Sequence, residues 1–146
     1  MTASADELMT VTTGLRRLVR RRLQAGLTGP RLRGAQVELL RVASARPGLG
    51  VAAAAAELHL ARNSVSTLVN QLVDQDLLRR ETDPDDRRNA RLYVTEAAEQ
   101  RLAAWRQART ELVGAALADL DPADRAAIGQ ALPALRRLIT RLEADS

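Results

Sequence analysis

The sequence predicts a mainly α-helical chain with a small β wing, a winged helix-turn-helix with long N- and C-terminal dimerisation helices. Three observations predict it. From Val65 to Val73 a helical segment carries Val65, Leu68, Val69, Leu72 and Val73 on one face and Asn63, Ser66, Thr67, Asn70 and Gln71 on the other. Two short runs follow, Leu77–Thr82 and Ala90–Thr95, joined by the charged turn Asp83-Pro84-Asp85-Asp86. At both ends of the chain lie long stretches with leucines at helical spacing.

Length and composition narrow the function classes. The 146 residues suffice for one domain with one sizeable core, and 46% hydrophobic with 27% charged residues is ordinary for a soluble protein. No apolar run is long enough to cross a membrane. Met1–Glu7 lacks the basic-then-apolar layout of a signal peptide, so a cytoplasmic protein is the simplest expectation. With no cysteine and His59 as the single histidine, thiol chemistry, a His/Cys zinc site and imidazole-based catalysis have no residues to use. No catalytic residues, cofactor or metal are expected, and the chain is not read as an enzyme.

Arginine supplies all 22 basic side chains, against 18 acids, for a net charge of +4 and a pI near 11.0. The excess is not in the central region that holds the helix-turn-helix and wing. Residues 1–31 hold six Arg and two acids, 32–95 hold nine and eight, and 96–146 hold seven and eight. Any phosphate contact in the central region depends on how Arg62, Arg79, Arg80, Arg87, Arg88 and Arg91 are placed, not on net charge.

In order, a polar start with Ser4, Asp6 and Thr10 as candidate caps leads into a helix to about Leu23. Leu8, Val11, Leu15, Leu18, Val19 and Arg22 share a face of it, and Gly26, Gly29 and Pro30 end it. A second helix spans Arg33 to about Ser44, with Val37 and Leu40 inward. Pro47-Gly48 and Gly50 connect onward, and Leu49–Val51 can add a short third strand. The alanine run Val51–Leu58 is a strong helix former that allows close approach of a second helix. It is the first helix of the helix-turn-helix, and the recognition helix starts near Arg62. Ala61 stands where a Ser or Thr cap is expected, so Asn63 or Ser64 is expected to cap a slightly later start. The helix ends near Gln75-Asp76, where Asp76 replaces the usual glycine and takes the left-handed conformation at some cost.

Past the wing, Thr95 caps a long helix, Glu96 to about Leu117, with Ala98, Leu102, Trp105, Leu112 and Ala116 on its apolar stripe. Asp121-Pro122 caps the last helix, which runs to about Leu142 and should kink at Pro133. Without Phe, and with one Trp and one Tyr, a thin central body cannot cover these terminal stripes. A homodimer, packing Leu8–Leu23 and Leu132–Leu142 of two copies, covers them and sets two recognition helices on a palindromic site. The alternative is a monomeric bundle that buries the same stripes internally. The domain organisation is therefore read as a single domain, 1–146, with dimerisation helices in 5–31 and 96–146 and the DNA-binding lobe in 32–95.

The chain resembles the MarR family of winged-helix transcriptional regulators over essentially its whole length. The resemblance rests on Asp83-Pro84-Asp85-Asp86-Arg87-Arg88, similar to the family's DPxDRR wing, on Leu92-x-Val94-Thr95 after it, on Leu32-x-x-Ala35-Gln36-x-x-Leu39-Leu40 and on Arg62-Asn63-Ser64-Val65-Ser66-Thr67-Leu68-Val69. It implies a regulator of transcription, a repressor more often than an activator, that binds double-stranded DNA. It implies an arginine at the wing tip in the minor groove, Arg88 first and Arg87 next, with Asp86 orienting a wing arginine. Asp83 and Asp85 would then form the turn or pair with Arg79 and Arg80. In the major groove Arg62 and Ser64 are expected near the helix start, with Asn63 beside them and Ser66, Thr67 and Asn70 deeper; Asn suits adenine and Thr a thymine methyl. Arg33 and Arg41 are phosphate contacts or solvent-facing.

Relatives also imply a small organic effector that releases DNA. The cluster Arg16-Arg17-x-x-Arg20-Arg21-Arg22 is either the polar side of an amphipathic helix or part of an anionic effector site; the former is favoured, and the effector-binding residues are unknown. Trp105 is read as core and His59 as a polar surface residue. A competing class is an antirepressor-like helical interaction protein that keeps the fold without binding DNA.

Overall fold

The computed structural model describes residues 4–26, 29, 31–86 and 89–144. Helix α1 spans Ala5–Gln24, α2 Gly34–Ala45, α3 Val51–Leu58, α4 Arg62–Asp74, α5 Glu96–Ala118 and α6 Pro122–Ala144. Strands β1 (Leu49–Gly50), β2 (Leu78–Thr82) and β3 (Ala90–Val94) form an antiparallel sheet in the order β1-β3-β2. This is a mainly α winged helix-turn-helix with long terminal helices. Two compact units divide the chain, residues 20–107 and residues 1–19 with 108–146.

The first unit holds the core. Leu39, Leu40, Val65, Val69, Leu72 and Leu92 are its largest fully buried side chains, drawn from α2, α4 and β3. Ala54 and Ala55 are buried where α3 meets α4, which the small alanine side chains permit. Leu32, Leu39 and Leu40 of the second-helix motif are buried, and Gln36 is the buried polar residue among them. Its Oε1 accepts from Arg33 N–H at 2.8 Å, closing the start of α2. Its Nε2 donates to Gln71 Oε1 at 3.0 Å, joining α2 to α4. Gln71 is thus half-buried structural glue and does not belong to the open polar face expected of it.

Both helices of the helix-turn-helix end alike. Beyond α3, His59 takes φ 53°, His59 N–H donates to Ala56 O at 3.3 Å and Leu60 N–H to Ala55 O at 3.0 Å. Beyond α4, Asp76 takes φ 56°, with Asp76 N–H to Val73 O at 3.0 Å and Leu77 N–H to Leu72 O at 2.9 Å. Each is a Schellman closure with a non-glycine residue in the left-handed position. The left-handed Asp76 follows the sequence reading. His59, read only as a surface residue, has the further job of turning the chain toward α4.

Leu49–Gly50 does form a third strand, Leu49 opposite Leu92 and Gly50 opposite Arg91. Gly48, at φ 85°, precedes it. A Cβ there would lie 3.2 Å from the Tyr93 hydroxyl, so the position suits glycine on both counts.

In the second unit α6 buries none of its residues among those described. It runs unbroken through Pro133 as a helix, although the ring removes one intrahelical hydrogen bond. Asp121 Oδ1 accepts from Ala123 N–H at 2.7 Å, the expected cap. Leu15, Ile139 and Leu142 keep 57, 56 and 63% of their surface exposed, and Met9, Val11, Leu18, Leu132 and Leu138 are exposed with them. These apolar stripes are thus exposed in the single chain. No described helix is long and apolar enough to cross a membrane.

Candidate nucleic-acid interface

Helix α4 turns one face inward and leaves the other open. Val65, Val69 and Leu72 are buried. Asn63, Ser66, Thr67 and Asn70, at intervals of three and four, form an exposed stripe, with Arg62 and Ser64 exposed at the first turn. The helix begins at Arg62 with no side-chain hydrogen bond from its cap, Ala61. The expected later start is not seen; Asn63 Oδ1 instead accepts from Ser64 N–H at 2.9 Å inside the first turn. The remaining first-turn N–H groups lie at the positive end of the helix dipole, where an anion is favoured. Thr67 Oγ1 donates to Asn63 O at 3.0 Å, so its hydroxyl proton is already committed to the backbone.

The wing hairpin pairs Leu78 with Val94, Arg80 with Leu92 and Thr82 with Ala90. Strand alternation sends Leu78 and Arg80 to one face and Arg79 and Glu81 to the other. On the outer face Arg79 Nη1 lies 2.8 Å from Glu81 Oε1 and its guanidinium sits 5.2 Å from the Tyr93 ring centroid. At the turn, Asp83 Oδ1 accepts from Asp85 N–H at 3.0 Å and Oδ2 lies 3.5 Å from Arg91 Nε. The Asp85 N–H, joined by the Arg91 guanidinium, holds the Asp83 carboxyl below its ordinary range despite partial desolvation.

Asp83 is thus a turn former, the first of the two roles the sequence offered it, and its cationic partner is Arg91 in place of Arg79 or Arg80. Arg79 is held by Glu81, and Arg80 crosses to α4, its Nη1 donating to Asn70 Oδ1 at 2.8 Å. Period-two alternation from Leu78 was the available signal for Arg80, which the sequence reading left out of the recognition set. Arg41 is engaged by Glu38 at 3.0 Å, and Arg33 is exposed. Arg87 and Arg88 lie outside the described residues, and with them the expected role of Asp86.

Within the same unit a cavity of about 260 Å³ is lined by Gln24, Gly29, Arg31, Leu32, Arg101 and Trp105. Arg31 Nε donates to Gln24 Oε1 at 3.0 Å, and burial lowers the Arg101 pKa. Trp105, read as core, is a half-buried lining residue. Among the described residues no group of three His, Cys, Asp or Glu side chains could hold a metal ion.

A buried-faced helix with a polar outer stripe, followed by a two-stranded wing, defines a winged helix-turn-helix protein of the kind built to meet nucleic acid. Residues 25–89, the stretch from the end of α1 to the wing, match the model described as MarR family. That stretch, a little under half of the chain, is what is similar to the MarR family. The chain is 39% identical over 70 residues to a Thauera aromatica protein provisionally named a transcriptional regulatory protein for the hcr operon. That alignment covers 48% of this chain and 42% of the relative, so the chain matches less than half of that protein's length. In fold it is similar to Streptococcus pneumoniae FabT in complex with DNA, with a TM-score of 0.74 at 18% identity over 95% of this chain and 99% of that one. The Streptomyces coelicolor transcriptional regulator PcaV, in complex with its natural ligand, gives a TM-score of 0.63 at 20% identity over 96 and 98% of the two chains.

Proposed function

We propose that the chain is a homodimeric, sequence-specific DNA-binding repressor that reads a palindromic site. The observation that carries this reading is the open stripe Asn63, Ser66, Thr67 and Asn70 on α4, beside a wing whose acids Glu81 and Asp83 are neutralised by Arg79 and Arg91. That pairing removes much of the repulsion that a near-neutral central region seemed to threaten. α4 enters the major groove, with Arg62, Asn63 and Ser64 near phosphate and the first bases. Arg88, with Arg87, enters the minor groove, supported by Asp86. The FabT structure, a protein of this fold on DNA, supports the docking mode. The exposed apolar side chains of α1 and α6 support a second copy as their cover.

A gel shift on DNA flanking the gene, with competitor and a salt series, tests the reading. Tight binding that resists competitor and falls with salt is expected. Absence of binding at low salt from a folded dimer would favour the antirepressor-like reading instead. Arg88→Ala should weaken operator binding about tenfold and lower the salt slope by about one, leaving the dimer intact. Wild-type affinity in that variant would sink the wing assignment.

A small organic effector fits the cavity beside Trp105, where Arg31 and Arg101 suit a carboxylate and the indole suits an aromatic ring. Trp105 is the single tryptophan, so its fluorescence should change as an aromatic carboxylate such as benzoate is titrated in. An unchanged spectrum at saturating benzoate, with Arg101→Ala indistinguishable, would count against that ligand class.

A further inference from the structure

We infer that Arg80 sets a base preference of the recognition helix by fixing what Asn70 can offer to DNA. The inference rests on the proposal that α4 enters the major groove. Arg80 shares a strand face with Leu78 and is paired in register with Leu92, both buried, so this face is turned toward the core and α4. From there its Nη1 reaches Asn70 Oδ1 at 2.8 Å.

A guanidinium has donors only, so it settles which way the Asn70 amide points: Oδ1 toward Arg80, the Nδ2 hydrogens away. Reading adenine takes both ends of an asparagine amide, Oδ1 accepting from N6 and Nδ2 donating to N7. Here one of the two lone pairs of the accepting end already holds a charged hydrogen bond, which is stronger than a neutral one, and a second donor must approach beside the guanidinium. An adenine amino group at that spot would face a guanidinium, donor against donor. Guanine presents N7 and O6, two acceptors, which match the Asn70 Nδ2 hydrogens. So oriented, Asn70 offers donors to the groove, and its preferred base is guanine, not adenine. Arg80 is in this sense a positioning residue that acts through Asn70.

The test is selection of duplexes from a random pool by the intact chain, its Arg80→Met variant and its Asn70→Ala variant, followed by Kd measurements on the selected site with each base pair changed in turn. The wild type should prefer guanine at one position of each half-site. Arg80→Met should shift the guanine-to-adenine ratio there by about tenfold toward adenine, as expected for loss of one good base contact, and leave other positions alone. Asn70→Ala should lose discrimination at that same position, and adding Arg80→Met to it should change nothing further there. If Arg80→Met weakens all sequences equally with an unchanged base profile, Arg80 is a plain phosphate contact and the inference fails while the DNA-binding reading stands. If the folded wild-type dimer selects no sequence, both fail together.

Discussion

Asp76 holds φ 56° at the end of α4, a conformation that costs a side-chain-bearing residue free energy and costs glycine little. Its backbone carbonyl also accepts the Thr95 hydroxyl at 2.7 Å, a bond that any residue at the position retains. Asp76→Gly should therefore stabilise the protein by about 0.5–1 kcal/mol, and Asp76→Val should destabilise it by more than that. Urea unfolding checks both, and a destabilised glycine variant would show that the Asp76 carboxylate matters in its own right. Asp83 gives a pH-dependent counterpart. Its pKa is lowered in the folded state, by the Asp85 N–H first, with Arg91 assisting. Stability from this group is thus present above the ordinary aspartate range, near ~4, and is lost as pH falls through the lowered value. The melting temperature of Asp83→Asn should lie below wild type at neutral pH, and the gap should close in acid. A gap that stays constant with pH would mean that the turn does not depend on this carboxylate.

At the scale of elements, Thr95 shows how one residue joins two. Its Oγ1 accepts from Ala98 N–H at 3.2 Å, capping α5, while its proton goes to Asp76 O. Thr95→Ala should cost about 1–2 kcal/mol, at the upper end for a cap, because the Asp76 carbonyl loses its partner too. Equilibrium unfolding measures this, and a loss below a few tenths would refute the double role. The elements themselves were legible in the sequence because local patterns specify them: period 3.6 along α4, period 2 in β2 and β3, Thr95 and Asp121 as caps. Even the two-residue β1 could be read from its place between glycines. What escaped was settled by tertiary contacts between residues distant in the chain. Gln71 looks like any polar residue until Gln36, 35 positions away, is seen to bind it. Arg80 looks like a wing cation until Asn70 is found at its end. Likewise the partners of Arg79 and Asp83 follow from strand register, which charge spacing does not reveal.

For the whole molecule, the exposed leucines and isoleucines of the terminal helices carry the expectation of a dimer. Ile139→Glu with Leu142→Glu places charge where the proposed partner would bury apolar surface. Sedimentation should show monomers, and binding to a palindromic duplex should weaken far more than binding to a half-site. A variant that remains dimeric would move the interface off this part of α6. The sheet order β1-β3-β2 has a different kind of consequence. It leaves β2 at the edge of the sheet, five residues long and with β3 as its only strand partner among the described residues. A repressor that meets DNA in copies set side by side would risk stitching its wings into a continuous ribbon there. The edge reads Arg79-Arg80-Glu81, and each of those charges is tied to its own chain, Arg79 with Glu81 and Arg80 with Asn70. Arg80, proposed to shape recognition of the operator, would thus also guard the protein's solubility together with Arg79, and an apolar substitution at either would carry polymerisation as its side effect.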